Sequence, residues 1–395
     1  MKKIILATLF GLSFMACQPK HDGYTIHGNI AGSKDGLKVT LQKGNVYPPV
    51  TLDSTAIRDG KFLFKGKVGQ PGLYRIIIEN GEEKLSSVFY LENSDITYSG
   101  NIDSLESYYW NEDTFRKEAA VTGSATQDLY NQYKASTREL NKKYGALDKE
   151  YLKVYHIPSA EGIFNTEQGI ALTRQMEKLD KDLQIAQWNF IGQHPGSIVG
   201  YDLASRFLEG MYVNLTAQQI DQLTGIITQA WAAHPDKIAD FKAKADKARP
   251  IALGSKYQDI ELINPKGEKV MLSAFVPQGK YVMLEFWASW CGPCRGEIPH
   301  LRHVYKEYKD KGFEIVSISI DENKADWDKA MKEEKMVWKQ LCDPHSFNGP
   351  VAKVYNIQGV PTCLLLDKEG RIFKTDMRGA ALDAVLQDLC GKPDK

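Results

Sequence analysis

Residues 280–312, KYVMLEFWASWCGPCRGEIPHLRHVYKEYKDKG, leave few folds open. An apolar run of strand length passes directly into a helical pattern that stops at Gly312. A continuously apolar strand followed by a helix belongs in a buried α/β sheet. Two cysteines, Cys291 and Cys294, sit at the junction in a chain that has only six. Such a pair is open to three readings: a redox couple, half of a zinc site, or a structural staple.

The junction favours redox chemistry. Unpaired N–H groups at a helix start and the helix dipole stabilise an anion, here the thiolate of Cys291. Its pKa falls and its reactive fraction rises at neutral pH. Cys294 lies about one turn on, so the two sulfurs share a face and can close a small disulfide ring. Pro293 fits the first turn, where its missing N–H costs nothing. The implied reaction is thiol–disulfide exchange: Cys291 attacks a disulfide, a mixed disulfide forms, and Cys294 displaces the product. Zinc would need a second ligand pair. His300 and His303 lie two to three helical turns on, roughly 10 Å or more from the helix start, too far for bonds of about 2 Å to one ion. They read instead as solvated or interface residues, and the sequence calls for neither metal nor cofactor.

Whether disulfides can form and persist depends on the compartment, so the N-terminus matters. MKKIILATLFGLSFMACQPK opens with two lysines and an apolar run from Ile4 to Ala16. The run is too short to span a bilayer and reads as an export leader, residues 1–16. Cys17 after SFMA resembles the lipobox of bacterial lipoproteins, which implies lipidation of Cys17 and anchoring to a membrane in the cell envelope. Phe14 stands where that motif usually has Leu. If Cys17 carries lipid, the remaining Cys291, Cys294, Cys342, Cys363 and Cys390 form an odd, late-clustered set and no disulfide framework. Cys363 and Cys390 read as core packing, and a Cys342–Cys363 bridge is the weaker alternative. With 50 basic and 50 acidic residues, the chain has no bulk electrostatic attraction for nucleic acid.

The rest divides by texture. Residues 17–112 read as a β-rich domain, with short alternating runs such as YTIHGNI, LKVTLQKG and LYRIIIEN between Gly, Asn and Asp turns, the pattern of an antiparallel sandwich or sheet. DSTAIRDGKFLFKG suggests two strands joined by a tight Asp-Gly turn. Residues 113–250 read as helical, with apolar residues at three-, four- and seven-residue spacings in ATQDLYNQYKASTRELNKKYGALDKEYLKVY. A second long helix follows, capped by Asn165 or Thr166, and then three shorter ones. After a small hairpin at NPKGEK, residues 251–395 alternate strand, helix, strand, helix, strand, hairpin, helix.

VMLEFWASWCGPC together with GVPT resembles the thioredoxin fold. The extra helix and strand between FEIVSISID and GVPT narrow the resemblance, over about residues 252–391, to the TlpA/ResA-like thiol–disulfide oxidoreductases. Residues 24–248 are similar, more loosely, to the region that precedes this domain in some bacterial lipoproteins. The fold class implied is an α/β thioredoxin fold at the C-terminus, preceded by a β-rich N-terminal domain and a helical middle segment.

By the same resemblance, Cys291 is the nucleophile and Cys294 the resolving thiol. Pro361 is a cis-proline facing the pair, leaving the Val360 backbone free to bind a substrate strand. Trp290, Gly292 and Pro293 complete the substrate-binding surface. Glu285 falls where thioredoxins carry a buried Asp, whereas many TlpA-like members are neutral there. Strand burial should raise its pKa and let it take the proton of Cys294; the plainer alternative is a partly solvated carboxylate at the strand end. CGPC resembles the reducing thioredoxins. The implied partners are disulfide-bearing exported proteins and a membrane thiol-electron carrier as reductant, cytochrome c maturation being one task of the family. Two alternatives are a disulfide oxidase or isomerase using the same cysteines, and a binding or assembly lipoprotein in which the redox domain is accessory.

Overall fold

The computed structural model describes residues 21–44, 48–108, 118–210 and 212–392. Cys17 and the leader lie outside the described residues. The chain divides into two compact units between Gln132 and Tyr133. The helical stretch and the thioredoxin-like stretch pack as one unit; the strand Ala120–Thr122 falls in the other.

In the N-terminal unit the strands are β1 (Tyr24–Ala31), β2 (Lys38–Lys43), β3 (Thr51–Ala56), β4 (Lys61–Gly66), β5 (Gly72–Asn80), β6 (Glu83–Leu91), β7 (Asp95–Asn101) and β8 (Ala120–Thr122). They form two sheets, β4-β1-β7-β8 and β3-β2-β5-β6. Alternate residues of both sheets, among them Ile26, Ile30, Phe64, Val39, Ile76, Ile78 and Phe89, share one hydrophobic core. This is the face-to-face packing of a sandwich. Asp59 and Gly60 both take positive φ, 51° and 71°, as the tight turn requires. The strands it joins, however, belong to different sheets, so the turn is a corner of the sandwich and not the tip of a hairpin. The sheets are also not wholly antiparallel, since β1 and β7 run parallel. The first turn of α1 (Ala125–Tyr151) brings the buried Gln127, whose Oε1 accepts the Tyr90 N–H at 2.8 Å.

In the second unit a π-helical turn (Leu152–His156) and α2 (Ile157–Ala160) follow α1. Then come α3 (Thr166–Gln193), α4 (Ile198–Glu209), α5 (Ala217–Ala230) and α6 (Pro235–Ala248). Ser197 caps α4, and Thr216 with Gln219 forms a capping box on α5. Asn165 occupies the cap position of α3, but its side chain donates to the Val154 carbonyl at 2.7 Å instead of capping. It ties the helix start to the π turn, a tertiary bond that outcompetes the local one.

The sheet of this unit contains β9 (Glu261–Ile263), β10 (Lys269–Met271), β11 (Tyr281–Trp287), β12 (Phe313–Ser319), β13 (Lys339–Cys342), β14 (Thr362–Leu366) and β15 (Ile372–Thr375), in the order β10-β9-β13-β12-β11-β14-β15. Its helices are α7 (Gly292–Tyr308), α8 (Lys324–Glu333), α9 (Pro350–Val354) and α10 (Ala380–Cys390). β11 lies between β12, parallel, and β14, antiparallel. Every residue of β12 is buried, as is all of β11 after Tyr281, which explains their mostly apolar character, with Glu285, Glu314, Ser317 and Ser319 as the buried exceptions. β9 and β10 make the expected hairpin. Gly312, at φ 93°, ends the helical run after α7.

Candidate active site

β11 ends at Trp287, and the chain turns through Ala288 to Cys291 before α7 begins. Cys291 is the N-cap of α7, and its sulfur accepts the Cys294 backbone N–H at 3.1 Å. A thiol at this cap meets the positive end of the helix, which favours its thiolate when reduced. Here Cys291 and Cys294 are joined as a disulfide. Both sulfurs are nearly covered by protein, while Gly292 and Pro293 between them are exposed.

Opposite it stands the loop before β14. The Val360–Pro361 peptide is cis, and the Val360 carbonyl oxygen lies 3.6 Å from Cys291 Sγ. Gly359, Val360 and Pro361 are all partly exposed. Trp290 is 59% exposed, with its ring centroid 6.3 Å from that of Phe347.

Glu285 is not a solvated strand end: it is only 4% exposed. In register it lies opposite Ser317 on β12 and Cys363 on β14, so these three side chains share one face of the sheet. Burial pushes its carboxyl up to about 8, against a hydrogen bond from Ser317 and with help from the charge of Glu297. Its Oε2 has no hydrogen-bond partner among the described residues. Glu297 is three residues after Cys294 on α7, and its charge adds to the rise at Glu285.

The AhpC/TSA family model matches residues 253–375, and a domain of unknown function, DUF4369, matches residues 24–130. The thiol-disulfide oxidoreductase ResA of Bacillus subtilis (strain 168) is 30% identical over 138 residues, which is 35% of this chain and 74% of that protein. The chain belongs to the ResA-like thiol-disulfide oxidoreductases. ResA of Oceanobacillus iheyensis is 38% identical over 106 residues, 27% of this chain; the chain spans 54% of that relative's length. A solved thioredoxin domain of a thiol-disulfide oxidoreductase from Bacteroides vulgatus is 37% identical, covering 35% of this chain and 98% of that one, with a TM-score of 0.33.

Two groups around the site of this ResA-like oxidoreductase escape a reading of its sequence. Asp321, 2% exposed just past β12, accepts the Ser289 N–H at 2.9 Å and the Ser289 and Ser319 hydroxyls at 2.6 Å each. It pins the turn that delivers Cys291. An Asp two residues past a buried strand beside β11 was the available signal.

The second group decides between the two expectations for His300, solvated or interface, in favour of a buried interface. It is 2% exposed, with Nδ1 3.0 Å from Glu297 and Nε2 3.2 Å from Asp383. Burial alone would lower its pKa, but hydrogen bonds to Asp383 and Glu297 overcome this and raise it to about 10, so the ring is an imidazolium. Burial likewise works against the Glu297 charge, which His300 and the Gly379 N–H hold below the usual carboxylate range. His303 is half-buried and stacks on Phe164 at 4.8 Å. The two histidines thus serve the junction between α7 and the helical segment.

Outside the pair, Cys342 and Cys363 are free and buried, and Cys390 is free and partly exposed. Burial pushes the Cys342 thiol up to about 12 and that of Cys363 well above its ordinary value. Both are poor nucleophiles. Among the described residues no helix is long and apolar enough to cross a membrane.

Proposed function

We propose that this oxidoreductase reduces disulfides in exported proteins, working from a membrane to which lipid on Cys17 anchors it. The reading is carried by one observation: a Cys291–Cys294 couple at a helix N-terminus, with the backbone of Val360 3.6 Å from Cys291 Sγ. In the reduced enzyme the Cys291 thiolate attacks a substrate disulfide. A Cys291–substrate bond forms and the first substrate thiolate leaves. Cys294 gives its proton to Glu285 and attacks Cys291 Sγ, which expels the second substrate thiolate and closes the enzyme disulfide. Two electrons pass to the substrate. With the disulfide closed, Glu285 is a carboxyl that prefers to be protonated at neutral pH, as a group that has just taken that proton should be.

The direction rests on CGPC, the active-site sequence of reducing thioredoxins, whose potential is about −270 mV against about −120 mV for a strong oxidant. A reductant outside the cytoplasm must be recharged, so a membrane thiol-electron carrier is the upstream partner. Val360 pairs with the backbone of the substrate, and Trp290, Gly292 and Pro293 form the apolar lip over which it enters.

Trapping tests the proposal. A Cys294→Ser variant lacks the resolving thiol and should retain exported proteins on Cys291 as mixed disulfides released by dithiothreitol. Recovery no greater than that of the Cys291→Ser/Cys294→Ser variant overturns the reading, and a wild-type potential well above about −200 mV reverses its direction.

A further inference from the structure

The Pro361 carbonyl oxygen is not left to solvent. It accepts the phenolic O–H of Tyr212 at 3.2 Å, a donor from the helical segment 149 residues earlier in the chain. Tyr212 lies just past the end of α4 and is partly buried. Burial, and then the Asp376 carboxylate that also lies within hydrogen-bond reach of it, keep its phenol protonated, so it remains a donor across the working pH range. Its neighbours are tied down on the same side. The Gln358 side-chain Nε2 donates to the Glu209 carbonyl at 3.4 Å. Asn214 meets the Thr375 hydroxyl, and the Leu253 N–H donates to the Leu215 carbonyl at 2.9 Å. Val213 and Leu215 are buried.

The substrate-pairing peptide is thus held at both ends. Cys291 Sγ stands against the carbonyl of Val360, and Tyr212 holds the carbonyl of Pro361. Thiol–disulfide exchange needs the attacking sulfur placed along the axis of the disulfide it cleaves. A substrate anchored by its backbone to this peptide inherits whatever error the peptide has.

We propose that Tyr212 is a positioning residue of the substrate site, so that the helical segment sets the pose of the Val360–Pro361 backbone and thereby favours disulfides carried on a polypeptide. The role of Tyr212 rests on the reading that substrates pair with Val360. A disulfide without a peptide backbone has nothing to align on that loop and gains much less from it.

The full-length protein lacking its leader is compared with Tyr212→Phe, which keeps the ring and removes the donor, and with Gln358→Ala, which removes the neighbouring tie. Two probes are used: insulin, and bis(2-hydroxyethyl) disulfide. The expected result is a fall in the ratio of kcat/KM for insulin to that for the small disulfide, about three- to tenfold in Tyr212→Phe, the yield of one lost hydrogen bond. It should enter through KM, with the Cys291–Cys294 potential unmoved, and Gln358→Ala should shift the ratio the same way by less. An unchanged ratio in both variants overturns the inference, and so does an equal loss on both probes with a shifted potential, which would make Tyr212 merely structural. A wild-type protein that reduces the small disulfide but not insulin overturns the pairing reading and this inference with it.

Discussion

Tyr155 donates its phenolic proton to Asp383 Oδ2 at 2.8 Å, across 228 residues of sequence. The other oxygen of Asp383 holds His300, whose second nitrogen holds Glu297. Glu297 in turn accepts the Gly379 N–H at 2.8 Å, and the Ala380 N–H donates to Tyr151 at 3.2 Å. One buried charge cluster therefore joins α1 and the π turn to both α7, the helix bearing the cysteines, and α10.

His300 makes this cluster sensitive to alkali. Its folded pKa, about 10, lies above the unfolded value, so its contribution is fully present below about pH 6.5 and is lost as pH rises through 10. Removing one member of a buried ion pair costs about 3–5 kcal/mol. His300→Gln should therefore lower stability by that order at pH 7. It should also flatten the decline that the wild type shows between pH 8 and 10. Urea unfolding at the two pH values checks it; equal slopes in both proteins would count against a charged His300.

Helix packing beside the cluster depends on Gly169. A Cβ built there would meet the Tyr155 ring at 2.4 Å and the Ala380 Cβ at 2.6 Å, so α3 approaches α10 and Tyr155 as only glycine allows. Gly→Ala in a free helix position stabilises by about 1 kcal/mol. Gly169→Ala should instead destabilise by about 1–3 kcal/mol, the usual range for overpacking. A raised Tm would show that the contact yields more easily than its geometry implies.

How far these features could be read from sequence follows from their range. The cysteine couple, the strand before it and Gly312 after it are local, and a strand-to-helix junction is legible from residues that adjoin. The burial of Glu285 was legible too, because no polar neighbour interrupts its strand. The Tyr155–Asp383–His300 cluster was not: its members are scattered along the chain, and a histidine on a charged helix looks solvated until its partners are known. Asn165 misleads for a related reason, since its sequence context offers a cap and the Val154 carbonyl offers more. The parallel pairing of β1 with β7 is equally hidden, because alternation tells which face of a strand is buried and nothing of its neighbour.

Glu285→Gln should separate chemistry from stability. For an acid whose folded pKa is raised from 4.5 to about 8, the native state carries no penalty below pH 4.5, and stability is lost as pH climbs to 8. The amide removes that loss, so the variant should gain on the order of 4 kcal/mol over the wild type at pH 8 and nothing near pH 4. Its mixed disulfide should meanwhile form at close to the normal rate and resolve more slowly. Stopped-flow turnover that is unchanged between pH 6 and 8 would dismiss Glu285 as the proton acceptor.

Asp321 gives the complementary case, a buried carboxylate that acts on the shape of the turn. Its two oxygens take the Ser289 N–H and hydroxyl and the Ser319 hydroxyl, and its own N–H donates to Ser319 Oγ at 2.9 Å. Asp321→Ala leaves the part-buried Ser289 N–H and hydroxyl to water and strands the buried Ser319 hydroxyl, at about 1–3 kcal/mol for the group left unpaired. Because Ser289 is two residues before Cys291, the slack should reach the sulfur. Asp321→Ala should then lose about 2–4 kcal/mol of stability and also reduce insulin more slowly than the wild type at a temperature where both are folded. Asp321→Asn keeps one acceptor oxygen and should recover part of each loss. If Asn recovers stability but not rate, the charge of Asp321 matters beyond the turn it holds; if it recovers neither, both oxygens are needed to set Cys291.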